Sequence, residues 1–212
     1  MKQPDIDWSK AVKPLIKKYA KEKHPLEAKN LYQMLVMVVL SAQTTDNVVN
    51  IIAPDLFKAF PTLSKIGNAT PESLYPYISK IRNYRNKAGW LVKIASQLKK
   101  DSAIPLSMDA LVNLPGIGRK SANVIKRFAG ADIEGIVVDL HTIRVSQRLG
   151  IVTSDDPKKI EEEMMEILPK KEWDAGMAMS FLGREICRPT PDCPNCLMRP
   201  VCAYYNGWTV NK

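Results

Sequence analysis

The stretch Leu114-Pro115-Gly116-Ile117-Gly118-Arg119-Lys120 constrains this chain more than any other, because it fixes how two helices must meet. Upstream, Ser107 is placed to cap a short helix whose apolar positions are Met108, Leu111, Val112 and Leu114. Downstream, Ala122, Val124, Ile125, Phe128 and Ala129 recur at helical spacing, and Gly130 supplies the stop. The glycines between them allow backbone angles closed to other residues and remove side chains that would block a close partner. Such a hairpin can bring bare amides, at the start of a helix, against an anion such as a phosphate. The same residues also suit a plain tight turn in a helical protein. Lys120, two residues past the second glycine, and Asp139, nineteen residues beyond it, shift the balance towards the anion site.

Charge points the same way. Lysine and arginine number 31 against 22 aspartates and glutamates, a formal charge of +9, which favours a polyanionic partner such as nucleic acid. With 45% apolar and 25% charged residues, 212 residues suit one large domain or two small ones with a real core. Met1-Lys2-Gln3-Pro4-Asp5 has no secretory apolar stretch, and the longest apolar run, Met34 to Leu40, is too short to span a bilayer. The expectation is a cytoplasmic, nucleoid-associated monomer with no membrane segment.

The rest of the chain reads as helix. Trp8 to Tyr19 carries an apolar face interrupted by Pro14, so it should be kinked or in two pieces. Pro25 is expected to open a helix from about Leu26 to Ala42 whose end is apolar all round and therefore buried. Thr45 or Asp46 then caps a helix through Phe60, Thr70-Pro71-Glu72 starts another, and a further one covers 86–99. Asp139 should cap a helix ending near Gly150, Asp156-Pro157 should start the next, and the last covers 172–184. Ile133 to Val138 reads as a buried crossing between helices rather than a strand. No segment alternates with strand period over any length, so the fold class is all-α.

All four cysteines fall within one short C-terminal stretch, spaced Cys187-x5-Cys193-x2-Cys196-x5-Cys202. Disulfides that staple a fold are scattered, so this clustering argues for a metal centre in a reducing compartment. Only Cys193 and Cys196 form a Cys-x-x-Cys knuckle and no histidine lies near, which fits structural zinc poorly. Four thiolates around one bulky object suit a [4Fe-4S] cube better, with zinc and unligated thiols as the alternatives. Between the first two cysteines, Arg188-Pro189-Thr190-Pro191-Asp192 is stiffened by two prolines and offers Arg188 to a phosphate.

The hairpin with Lys120, then Val137-Val138-Asp139-Leu140-His141, then the four cysteines, resembles the endonuclease III family of helix-hairpin-helix DNA glycosylases. Leu40-Ser41-Ala42-Gln43-Thr44-Thr45-Asp46 matches as well, and Tyr84 to Ala88 in part. The resemblance covers nearly the whole chain. It implies two helical lobes flanking a DNA-binding cleft, one over 23–132 and one joining 1–22 to 133–212, with Lys120 and Asp139 facing each other across it. The implied function is excision of oxidised pyrimidines from damaged duplex DNA, followed by cleavage of the abasic site through a lysine Schiff base. In that scheme Lys120 attacks the sugar and Asp139 stabilises its developing positive charge or takes a proton. Gln43 fills the space left by the extruded base, and Leu114, Gly116, Ile117, Gly118, Arg119 and Arg188 meet the DNA. Cys187, Cys193, Cys196 and Cys202 hold the [4Fe-4S] cluster. The chain departs from the family in two places. The loop after Cys187 is one residue shorter, and Arg82 and Asn83 stand where relatives carry a glycine and an apolar wedge. Two other readings remain open: a mismatch or adenine glycosylase of the same superfamily, whose members typically lack the hairpin lysine, and a non-catalytic DNA-binding module.

Overall fold

A computed structural model describes residues 1–210, and the fold is helical throughout them. The only β pairing among the described residues is an isolated bridge between Lys2 and Thr209. The chain divides into two compact units, one continuous over Lys23–Glu134 and one formed by Met1–Glu22 with the segment from Gly135 onward.

The discontinuous unit begins with α1 (Trp8–Ala11) and α2 (Lys13–Tyr19), so the segment around Pro14 is in two pieces. Proline, which has no N–H to donate, sits in the first turn of α2, where none is needed. The unit resumes with α10 (Leu140–Leu149), α11 (Pro157–Ile167), α12 (Ala175–Glu185) and α13 (Ala203–Asn206). Its core gathers Leu15, Val145, Leu149, Ile160, Met179 and Leu182, with α12 packed against both α2 and α10. Asp156 caps α11 through the amides of Lys158 and Lys159, and Gly150 ends α10 in the left-handed conformation. The final long helix starts at Ala175, later than the expected residue 172, because 170–172 form a separate 3-10 turn.

The continuous unit runs through α3 (Leu31–Ser41), α4 (Asp46–Ala59), α5 (Leu63–Gly67), α6 (Pro71–Ile78), α7 (Tyr84–Leu98), α8 (Met108–Val112) and α9 (Arg119–Phe128). Helix α3 is its centre. Every residue from Met34 to Leu40 is buried, and α4, α7 and α9 all pack on it. It begins at Leu31 rather than near Leu26. Asn30 provides the cap by accepting from the amide of Gln33 at 2.9 Å, and Asn50 of α4 captures 25–27 in a non-helical path. Asn50 donates to the Pro25 carbonyl and accepts from the Glu27 amide, which satisfies backbone groups a helix would otherwise have used.

Candidate active site

The hairpin of the continuous unit is shaped by what its glycines touch. Gly116 sits at φ +79°, and a Cβ there would lie 2.6 Å from Cε3 of Trp90. Glycine is therefore required twice, by the backbone angle and by the indole of α7 packed beneath the turn. Gly118 differs. Its backbone is extended, with φ −97° and ψ 177°, and a Cβ added there would meet nothing within 4 Å. No contact within the chain demands glycine at 118, and the space beside its Cα is open. No side chain caps α9, whose first turn carries Arg119 and Lys120.

The predicted hairpin residues separate into two kinds. Leu114 and Ile117 are buried, so they can offer only backbone groups to a ligand. Gly116, Gly118, Arg119 and Lys120 are exposed. Arg119 donates to the Glu134 carbonyl at 3.2 Å. Lys126, two turns along α9, is buried and pairs with Glu134 at 2.8 Å while donating to the Leu106 carbonyl at 2.6 Å. It braces the segments either side of the hairpin rather than facing solvent.

In the discontinuous unit Asp139 caps α10. Its Oδ1 accepts from the amides of His141 at 2.9 Å and Thr142 at 2.8 Å and from the Thr142 hydroxyl at 3.1 Å. Its Oδ2 accepts from Ser180 Oγ at 2.6 Å, and Arg184 Nη2 stands 3.5 Å away. A carboxylate held at both oxygens by donors keeps its orientation. The setting depends on α12. A Cβ at Gly176 would lie 2.6 Å from the Val137 carbonyl, and one at Gly183 would lie 2.8 Å from His141 Cβ. Two glycines seven residues apart thus let Ile136–Val138 and α10 close onto α12, which brings Ser180 to Asp139. Beside it, burial lowers the pKa of His141, partly countered by the charge of Asp139.

Gln43 lies in the turn between α3 and α4, exposed and at φ +56°. Buried Lys87 of α7 reaches this turn and donates to the carbonyls of Leu40 and Ala42. Burial, with the charge of Arg82 added, pushes Lys87 down to about 8. Arg82 and Asn83 occupy the neighbouring turn, Asn83 at φ +57°.

The four cysteines belong to the discontinuous unit, and none forms a disulfide. All four line one apolar pocket together with Leu149, Leu182 and Ile186. Arg148 closes one side: its Nη1 donates to Cys187 Sγ at 3.4 Å and to the Arg188 carbonyl at 2.7 Å, and its guanidinium lies 4.8 Å over the Tyr204 ring. Arg188 itself is exposed on the loop. Burial pushes the Cys196 and Cys202 thiols up, so thiolates here call for a compensating cation. No three His, Cys, Asp or Glu side chains among the described residues converge on a point as one metal ion requires. Sulfurs disposed around a pocket rather than a point are compatible with an iron–sulfur cluster, in which each thiolate takes a separate iron.

Sequence reasoning missed the supports: Trp90 under the hairpin, Ser180 and Gly176 beside Asp139, Lys87 under Gln43 and Arg148 beside Cys187. Each is remote in sequence from what it holds, and only the glycines of α12 left a readable trace.

Known proteins share this architecture. Residues 36–170 match the HhH-GPD superfamily of base excision DNA repair proteins. Endonuclease III of Thermotoga maritima is 35% identical over 179 residues, covering 82% of this chain and 83% of that protein. Endonuclease III of Synechocystis is 34% identical over 176 residues, 80% of each chain. A solved non-covalent endonuclease III–DNA complex superposes with a TM-score of 0.82 at 35% identity, over 92% of this chain and 94% of the other. A trapped endonuclease III–DNA covalent intermediate gives 0.82 at 34% identity, over 93% and 94%. A thermostable thymine-DNA glycosylase, at 21% identity and a TM-score of 0.76 over 92% and 95%, shares the fold. No helix among the described residues is long and apolar enough to cross a membrane. With the matched residues spanning most of its length, the chain belongs to the endonuclease III family of HhH-GPD superfamily base excision DNA repair proteins.

Proposed function

We propose that this base-excision DNA glycosylase and abasic-site lyase removes oxidised pyrimidines from duplex DNA, with Lys120 as nucleophile and Asp139 as the supporting carboxylate. The observation that carries the reading is the setting of Lys120, exposed in the first turn of an uncapped helix and two residues behind a glycine that no neighbour in the chain requires. The helix start and the space at Gly118 suit a phosphate, which leaves the amine beside the sugar attached to it. Lys120 Nζ bonds to the anomeric carbon as the base departs. The bond from that carbon to the ring oxygen then breaks to give a Schiff base, and loss of a proton from the adjacent sugar carbon breaks the C3′–O bond and expels the 3′ phosphate. Asp139, fixed by its cap bonds and by Ser180, stabilises the positive charge that develops on the sugar and accepts a proton from the amine. The trapped covalent intermediate formed by a relative with DNA supports a covalent route.

The remaining residues serve binding. The amides of 116–118 and the side chains of Arg119 and Arg188 grip backbone phosphates, while buried Leu114 and Ile117 shape the turn. Gln43 occupies the space left by the extruded base. Cys187, Cys193, Cys196 and Cys202 hold a [4Fe-4S] cluster, whose bonds brace the loop that carries Arg188. The enzyme works as a monomer on damaged or abasic duplex DNA. A panel of duplexes bearing single oxidised pyrimidines, mismatches or abasic sites tests the assignment. Strand cleavage of oxidised-pyrimidine duplexes by the wild type and its loss in Lys120→Gln is the expected result. Base release from mismatched adenine alone, or release undiminished by Lys120→Gln, would overturn it.

A further inference from the structure

Lys87 is 2% exposed, lies in the first turns of α7 and plays no part in the chemistry above. Its Nζ donates to the Leu40 carbonyl at 2.8 Å, to the Ala42 carbonyl, and to Thr44 Oγ1 at 3.4 Å. An ammonium carries three donors and no acceptor, so its bonding capacity is matched here. The carbonyls it takes are those that the end of α3 leaves without helical partners, where a cation is also favoured by the helix dipole.

What this ammonium surrounds is the backbone on both sides of Gln43. A glutamine at φ +56° sits in the left-handed region that residues other than glycine rarely adopt. Thr44 Oγ1 also accepts from the Arg82 amide at 3.2 Å, so the same node reaches the Arg82–Asn83 turn. Glycine at 43 would remove the strain, and an apolar residue at 87 would avoid burying a charge. Both unfavourable choices are present here, and the bonds of Lys87 hold the backbone on both sides of the exposed Gln43.

We infer that Lys87 is a positioning residue for base extrusion: its ammonium locks the Ala42–Thr44 turn in the form that presents Gln43 to the duplex. The inference rests on the reading of Gln43 as the residue that fills the vacated space. In that case Lys87 matters when a stacked, paired lesion must be extruded and the gap filled, and much less when the base is already gone.

The test compares single-turnover base excision from a duplex with one thymine glycol against strand cleavage of a preformed abasic duplex, using Lys87→Met, Gln43→Ala and the double variant. Lys87→Met should lose base excision by roughly thirtyfold while abasic cleavage falls by about threefold or less, as a local misplacement predicts. The double variant should match Gln43→Ala alone, since one effect acts through the other. Equal losses on both substrates would make Lys87 a brace of the fold and overturn the inference. So would losses that add in full. A Gln43→Ala variant of wild-type activity overturns the reading of Gln43 and this inference with it, while leaving Lys120 chemistry standing. Lys87→Arg covers the case in which Lys87→Met does not fold. It keeps the charge but not the point geometry, so it should lose base excision severalfold and keep abasic cleavage, and full base excision by it would contradict the inference.

Discussion

Two turns in the continuous unit solve the same backbone problem in opposite ways. At Pro115–Gly118 the left-handed position is given to Gly116, and the missing side chain lets Trp90 pack underneath. At Ala42–Thr45 the left-handed position is given to Gln43, and a buried ammonium gathers the loose carbonyls. On the proposed reading, the first turn strips side chains so that backbone can meet DNA, and the second accepts strain so that one side chain can.

The largest effect expected on this comparison is at Gly116. Valine there meets the Trp90 ring at 2.6 Å and an unfavourable φ, and should cost about 3 kcal/mol or more in urea unfolding. A loss under about 1 kcal/mol would show that the indole yields and the turn is not pinned by it. Gly118→Ala separates stability from binding. It should leave unfolding within about 0.5 kcal/mol of wild type, because its Cβ meets nothing. Affinity for an abasic duplex should fall about tenfold, as expected for one lost bond to a charged phosphate. Unchanged affinity would return Gly118 to a plain turn residue. Gln43→Gly should do the reverse of Gly116→Val, gaining about 0.5 kcal/mol as strain is released while base excision drops.

A further effect concerns pH. Lys87 is held down at about 8 against 10.5 for the free side chain. Between those values the unfolded chain keeps its proton while the folded one has released it, so folding stability gained from this site rises with pH. Wild type should therefore gain on Lys87→Met as pH climbs from 8 to 10.5 in parallel melts. A difference that stays flat or shrinks would show that the three acceptors outweigh burial and keep the amine charged.

The same contrast explains what was legible beforehand. The hairpin, the Asp139 cap and the cysteine group announce themselves through neighbours in sequence, since Gly-x-Gly, an acid before an amphipathic run and clustered thiols are local signals. The helical class followed from periodicity alone. The start of α3 was misplaced because Asn50, a residue of the next helix, holds 25–27 out of helical form. Lys87 on α7 reads as one more solvated lysine, for its acceptors lie more than forty residues upstream. The Asp139 cap was readable, but not its bond to Ser180, which depends on two glycines of α12 allowing close approach. Local chemistry was visible, and the long-range contacts that aim it were not.

The proposed chemistry depends on Lys120 as the nucleophile. Borohydride reduction of wild-type enzyme mixed with abasic duplex DNA, followed by proteolysis and mass mapping, tests this directly. A stable protein–DNA adduct is expected on the peptide carrying Lys120, absent from Lys120→Gln. An adduct on another amine, its persistence in Lys120→Gln, or no adduct at all would contradict it.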